Sequence, residues 1–144
     1  MKIIRSIRAM AKEVTRLKKA GKSIGFVPTM GYLHQGHASL LRRGRKENDI
    51  LIMSIFVNPI QFGPKEDFRR YPRDLKQDKV IALKEKVDII FYPEVRDIYP
   101  PDFSTYVEVE RLTEGLCGAR RPGHFKGVAT VVAKLFNITR PDIA

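Results

Sequence analysis

Apolar residues recur at helical spacing near both ends of the chain. Between residues 6 and 20 they lie three and four positions apart, at Ile7, Met10, Ala11, Val14 and Leu17. Residues 124–138 repeat the pattern with Phe125, Val128, Val131, Val132 and Leu135. Both segments predict amphipathic helices that pack on a core, and Gly21 supplies a C-terminal stop for the first.

Three short apolar runs, at residues 24–29, 50–57 and 87–92, predict β-strands. The second run is apolar apart from Ser54, which is typical of a central strand in a parallel sheet that is buried on both faces. Residues 105–109 alternate between polar and apolar, which predicts a short edge strand.

Two further helices are predicted between these strands, over residues 38–47 and 74–86, with Asp74 as the N-cap of the second. Strands and helices therefore alternate along the chain, as they do in an α/β domain. We expect a Rossmann-like parallel sheet with helices on both faces. The chain stops at residues 140–144, where the alternation requires another strand, so we expect a truncated domain.

The composition is that of a globular protein, with 43% hydrophobic and 30% charged residues among 144. No apolar run approaches the roughly 20 residues of a membrane helix, and residues 1–5 do not resemble a signal peptide. The single Cys117 cannot form an internal disulfide and is expected to serve in packing. These features predict a cytoplasmic protein without a membrane partner.

A net charge of +11 permits binding to nucleic acid, acidic membranes or anionic small molecules. The basic residues are spread along the chain, and the densest cluster, at residues 42–46, is typical of a solvated helix face. Gly21-Lys22-Ser23 resembles the end of a phosphate-binding P-loop. Arg16 stands where that motif needs its first glycine, and the segment precedes a strand instead of following one, so we discard it.

The loop after the first predicted strand contains His34-Gln35-Gly36-His37 at the start of a helix. Ligands of open parallel sheets bind beyond the carboxyl ends of the strands, where the two histidines are expected. The helix N-terminus supplies unpaired N–H groups and partial positive charge, and Gly31 and Gly36 let a phosphate approach the backbone. This setting predicts a phosphate site in which both imidazoles donate hydrogen bonds.

Two other interpretations of the histidine pair stay open at this stage. One or both rings could cap the helix. A metal site is the other, but it needs more ligands than two histidines, and the third histidine of the chain is the distant His124. We predict no metal site from the sequence.

H-x-G-H after a first strand is the signature of the nucleotidyltransferase superfamily, whose members split a nucleoside triphosphate between its α and β phosphates. Longer stretches resemble one family within it, the pantothenate synthetases. They are residues 25–37, residues 54–63 followed by Asp67 and by residues 71–74, and residues 121–132. The resemblance spans almost the whole chain in order.

This resemblance implies site residues, which are carried over by matching positions. The residues that match the ATP site are Met30, Gly31, Tyr32, Leu33, His34, Gln35, Gly36 and His37. Of these, His34 and His37 match catalytic residues, and His37 matches the proton donor. The residues matching the pocket for pantoate and β-alanine are Pro28, Thr29, Met30, Asn58, Gln61, Arg121, Val131 and Val132. On spacing alone, the two valines are core residues, and for His124 a structural hydrogen bond is expected.

The resemblance also implies a reaction, in which pantoate is activated by ATP as an acyl adenylate and is then joined to β-alanine. It implies Mg²⁺ with the ATP, a homodimer of the full-length protein and no nucleic-acid partner. Residues 1–144 would form an incomplete N-terminal domain that binds nucleotide and pantoate, without the C-terminal domain of the family. We therefore expect weak or no ligation by these residues alone. Another H-x-G-H adenylyltransferase, or a non-catalytic nucleotide-binding fragment, is the alternative.

Overall fold

A computed structural model describes residues 1–63, 66, 68–113, 115 and 118–144. Asp67 and Cys117, which the sequence analysis singled out, lie outside the described residues. Within the described part, four parallel strands form one sheet in the order β1-β4-β3-β2. Their bounds are β1 Lys2–Ile4, β2 Ile24–Thr29, β3 Ile50–Ile55 and β4 Ile89–Phe91.

Five α-helices accompany this sheet in the described residues. They are α1 Ile7–Lys19, α2 Gln35–Glu47, α3 Leu75–Lys84, α4 Val95–Ile98 and α5 His124–Thr139. Short 3-10 turns span Pro59–Gln61 and Phe68–Arg70. Side chains cap the N-termini of α1 and α3: Ser6 accepts from the N–H of Ala9, and Asp74 accepts from the N–H of Gln77.

The helices cover both faces of the sheet, which confirms the predicted α/β arrangement. On one face, Met10 of α1 and Leu135 of α5 share a buried cluster with Phe26, Ile52 and Phe91 of the strands. On the other face, Leu41 of α2 and Ala82 of α3 share a second buried cluster with Leu51, Met53 and Ile90 of the strands. The near-continuous apolar run of β3 follows from this burial on both faces.

The edge of β2 that faces away from β3 pairs with residues 142–143, where the alternation predicted a further strand. Gly25 forms a parallel bridge with Ile143, and the N–H of Phe26 donates to the carbonyl of Ile143 over 2.9 Å. The strand β2 is therefore flanked on both sides, by β3 and by residues 142–143.

Two local predictions were wrong, and two short elements, β1 and α4, were not predicted. The strand β1 was missed, because three residues are too short to show a period. Helix α2 begins at Gln35 instead of residue 38, because the histidines themselves cap it. Residues 105–109 form no strand, since the N–H of Val107 donates to the side chain of Thr130 on α5 over 3.0 Å and not to a sheet edge.

Among the described residues, no helix combines the length and the apolar character needed to cross a bilayer.

Candidate active site

The loop that follows β2 is held in an unusual backbone conformation. Gly31 and Tyr32 have φ angles of +84° and +53°, in the left-handed region. The carboxylate of Asp78, which is 2% exposed, accepts the N–H groups of Tyr32 over 3.1 Å and Leu33 over 2.8 Å. A Cβ atom on Gly31 would lie 2.9 Å from Oδ2 of Asp78, so glycine is required here for space as well as for φ.

Thr29 fixes the same loop from the strand side. Its hydroxyl donates to the carbonyl of Ser54 over 2.7 Å and accepts the N–H of Gly31 over 3.1 Å. Thr29 was predicted to line the substrate pocket, but both hydrogen-bonding functions of its hydroxyl are used inside the protein. Sequence reasoning missed Asp78, because nothing in the periodicity of α3 distinguishes it from a solvated helix residue.

His34 and His37 cap α2 reciprocally. Nδ1 of His34 accepts the N–H of Gly36 over 3.1 Å, and Nδ1 of His37 accepts the N–H of His34 over 3.3 Å. The capping interpretation is therefore correct for both rings, whose centroids are 4.1 Å apart. An Nδ1 atom that accepts carries no proton, so each neutral ring bears its proton on Nε2.

Capping leaves both Nε2–H groups available as donors. Neither Nε2 atom has a protein partner within the part of the chain that the structure describes. His34 is exposed and His37 half-buried, at the carboxyl edge of the sheet and at the N-terminus of α2. The pair therefore presents two fixed donors beside the partial positive charge of a helix end.

The pKa of His37 is lowered from its ordinary value of 6.5. Burial of the ring is the largest cause, the positive charge of His34 adds to it, and the carboxylate of Asp78 opposes it. At neutral pH His37 is consequently an uncharged ring that donates from Nε2.

Asn58 and Gln61 form a second polar group beyond the end of β3. Asn58 is 1% exposed, and its Nδ2 donates over 3.0 Å to the carbonyl of Gly127 and over 3.0 Å to Oε1 of Gln61. Nε2 of Gln61 lies 3.2 Å from the sulfur of Met30 in the loop after β2. The structure thus brings together Met30, Asn58 and Gln61.

Arg121 and His124 hold the backbone of Gln61 from the side of α5. Nδ1 of His124 donates to the Gln61 carbonyl over 2.8 Å, the structural hydrogen bond expected for this residue. Nε2 of His124 faces Nη1 of Arg121 over 3.1 Å, and Nη2 of Arg121 donates to Glu66 over 2.9 Å. Hydrogen bonds from Arg121 and then from the Gly63 N–H lower the pKa of Glu66.

The remaining predicted residues are more dispersed. Pro28 is exposed near the end of β2, whereas Val131 lies in the core with Phe26 and Ile52, and Val132 packs against that core. Leu33 is buried in the other cluster, while Tyr32 is 57% exposed. The interpretation of the valines from spacing alone therefore agrees with their packing.

A cavity of about 260 Å³ opens at the carboxyl ends of β2, β3 and β4, with Met30 and Gly31 on one side. Asp78 also lines this cavity, whereas His34, His37, Asn58 and Gln61 do not. Within the described residues, no three or more His, Cys, Asp or Glu side chains are arranged to hold a metal ion.

Comparison with known proteins gives a consistent result. A family model described as pantoate-beta-alanine ligase matches residues 2–144. Pantothenate synthetases from Caldicellulosiruptor bescii and Thermotoga petrophila are 62% and 60% identical over all 144 residues, which cover 51% of each relative. The chain therefore spans about half the length of the curated relatives it matches.

Solved structures show the same fold. The pantothenate synthetase of Thermus thermophilus superposes with a TM-score of 0.91 at 48% identity, over 98% of this chain and 50% of that one. A pantoate-beta-alanine ligase from Francisella tularensis, complexed with beta-gamma ATP and beta-alanine, gives a TM-score of 0.92 at 44% identity, over 99% of this chain and 54% of that one.

Proposed function

The chain belongs to the pantoate–β-alanine ligase family, and from this premise we propose that it contributes to the ATP-dependent ligation of pantoate and β-alanine. The reaction proceeds through a pantoyl adenylate and yields pantothenate, AMP and pyrophosphate. The observation that carries the proposal is the pair of Nε2–H donors of His34 and His37 at the N-terminus of α2.

Those two donors suit the transfer of an adenylyl group. A carboxylate oxygen of pantoate attacks the α-phosphorus of ATP, the bond to the β-phosphate oxygen breaks, and negative charge moves onto pyrophosphate. Donors already fixed in direction stabilise this charge without reorganisation. His37, whose neutral ring carries its proton on Nε2, is the residue we propose as the proton donor.

Gln61 is the residue we propose to bind pantoate. Its Nε2 faces the sulfur of Met30, a weak acceptor that a carboxylate or hydroxyl oxygen would replace favourably. In the second half of the reaction, the β-alanine amine attacks the acyl carbon of the adenylate. AMP leaves, the amine loses a proton, and an amide remains. Met30, Asn58 and Arg121 complete the proposed substrate side.

Mg²⁺ is proposed to accompany ATP with few ligands from these residues. Both oxygens of Asp78, the buried carboxylate nearest the loop, accept backbone N–H groups. Mg²⁺ commonly takes most of its ligands from phosphates and water, which fits such a site.

We further propose that residues 1–144 are the nucleotide- and pantoate-binding domain of a longer, cytoplasmic enzyme that acts as a homodimer. Exposed apolar side chains at Val107 and Leu112 favour self-association. Light scattering of the natural polypeptide that contains this chain measures the oligomeric state, and cell fractionation measures the location.

Exchange of labelled pyrophosphate into ATP tests the activity in the natural polypeptide. We expect exchange that requires pantoate and is lost in His37→Ala, with an unchanged circular-dichroism spectrum. Exchange that depends on a different acid would point to another adenylyltransferase. ATP binding without any exchange would leave a non-catalytic nucleotide-binding role, and either result would reject the proposal.

A further inference from the structure

The hydroxyl of Tyr99 is the far end of a hydrogen-bonded chain that leads to Gln61. Tyr99 follows α4, and its hydroxyl donates to Oδ1 of Asn58 over 2.8 Å. Asn58 in turn donates from Nδ2 to Oε1 of Gln61 over 3.0 Å. Tyr99 is therefore two hydrogen bonds away from the amide that the proposed function assigns to pantoate.

The direction of every bond in this chain is determined by its neighbours. The carbonyl of Gly127 can only accept, so the Asn58 atom 3.0 Å from it must be Nδ2. Oδ1 of Asn58 then faces Tyr99 and needs a donor there. Because Nδ2 also donates to Gln61, the Gln61 atom that faces Asn58 must be oxygen, and Nε2 is turned toward Met30.

The ring of Tyr99 is fixed independently of its hydroxyl. It packs on Phe56 and Phe103 at centroid distances of 6.1 Å and 4.9 Å, and Nζ of Lys134 lies 5.5 Å from its centre. Burial raises the pKa of the Tyr99 hydroxyl, so that it remains a donor at neutral pH.

We propose that Tyr99 is a positioning residue, which acts through Asn58 to hold the Gln61 amide with its N–H groups toward the substrate. The proposal rests on the function assigned to Gln61 above. Without the hydroxyl, Oδ1 of Asn58 loses its donor in a buried place, and the bond to the Gly127 carbonyl is left to orient the Asn58 amide. A Gln61 amide that reverses would present its oxygen to a carboxylate, which repels it.

Tyr99→Phe removes the hydroxyl and keeps the ring with its packing contacts. In the pantoate-dependent exchange reaction of the natural polypeptide, we expect the KM for pantoate to rise about fivefold to tenfold, the size of one hydrogen bond. The KM for ATP should stay unchanged. Tyr106→Phe is the matched control, because it makes the same change at a ring that packs edge-on against Phe103 and belongs to a residue that is 48% exposed.

The outcomes separate this inference from the proposed function. No pantoate-dependent exchange in the unaltered protein overturns both. Normal exchange in the unaltered protein, with an unchanged KM for pantoate in Tyr99→Phe, overturns only the role of Tyr99. An equal rise of both KM values would also overturn it, since that result marks a general structural effect. NMR offers a second measurement, in which the side-chain amide protons of Asn58 and Gln61 should exchange faster with water in Tyr99→Phe.

Discussion

Asp78 accepts the backbone N–H of Leu33 over 2.8 Å, although 45 residues separate them in the chain. The same carboxylate accepts the N–H of Tyr32, whose φ of +53° is costly for a residue with a side chain. A buried acid on α3 therefore fixes the loop that carries His34, and this contact joins the stability of the fold to the geometry of the proposed ATP site.

Asp78→Asn should destabilise the protein by about 2 kcal/mol. One of the two N–H groups would face the new amide nitrogen, which also donates, and hydrogen bonds to charged groups contribute about 1.5–3 kcal/mol each. Denaturant unfolding measures the loss, and ATP affinity should fall with it. Asp102→Asn, on an exposed loop residue, is the control and should change neither quantity. Equal midpoints for both variants would contradict the role of Asp78.

Thr29→Val should destabilise the protein by about 1–3 kcal/mol, because it leaves the Ser54 carbonyl and the Gly31 N–H without their partner in a buried place. The side chains are nearly equal in size, so packing changes little. Thr29→Ser keeps the hydroxyl and should recover most of the loss. Thermal unfolding of the three proteins makes the comparison. If valine and serine cost the same, the hydroxyl does not hold the loop.

The position of the histidine pair could be predicted from the sequence because its cause is local. An apolar run followed by glycine, two histidines three residues apart and a helical segment defines a strand–loop–helix unit without reference to the rest of the chain. Because this unit is defined by neighbouring residues alone, the sequence agreed equally well with histidines that cap the helix and with histidines that bind a ligand. The choice of ring nitrogen for the cap became visible only in three dimensions.

The supports of the site could not be predicted, because they act across long stretches of chain. Asp78 and Leu33 are 45 residues apart, and Tyr99 and Asn58 are 41 apart. A tyrosine after a short helix or an aspartate on a polar helix has many ordinary surface roles, and only packing assigns these. Residues 105–109 show the opposite error. Their alternation predicted a strand, but these residues lie against α5 and do not pair with a sheet.

The free energy of unfolding should fall as the pH drops below 6.5, in part through His37. Its pKa is lowered in the folded protein, so the unfolded chain binds a proton first. The contribution is fully present above 6.5, the value for the unfolded chain, and is lost as the pH falls through the lowered pKa. His37→Gln removes the titrating ring, so the stability of the variant should depend less steeply on pH below 6.5. Urea unfolding at a series of pH values measures both slopes, and parallel curves would show that His37 titrates normally.

Gly127→Ala should disturb Gln61 more than it disturbs α5, the helix that contains Gly127. Alanine is the better helix former, so α5 alone would gain slightly. A Cβ atom at this position, however, would lie 2.5 Å from the carbonyl oxygen of Ile60 and 2.7 Å from Cα of Gln61. The backbone of the turn must move, and overpacking of this kind costs about 1–3 kcal/mol. Asn58 would then be displaced with its acceptor, the Gly127 carbonyl.

For Gly127→Ala we expect a lower unfolding midpoint together with weaker pantoate binding in calorimetry, and unchanged ATP binding. Gly115→Ala is the control, because a Cβ atom there meets none of the described residues within 4 Å. A variant at position 127 that is as stable as this control, and binds pantoate as well, would show that the turn can yield without cost.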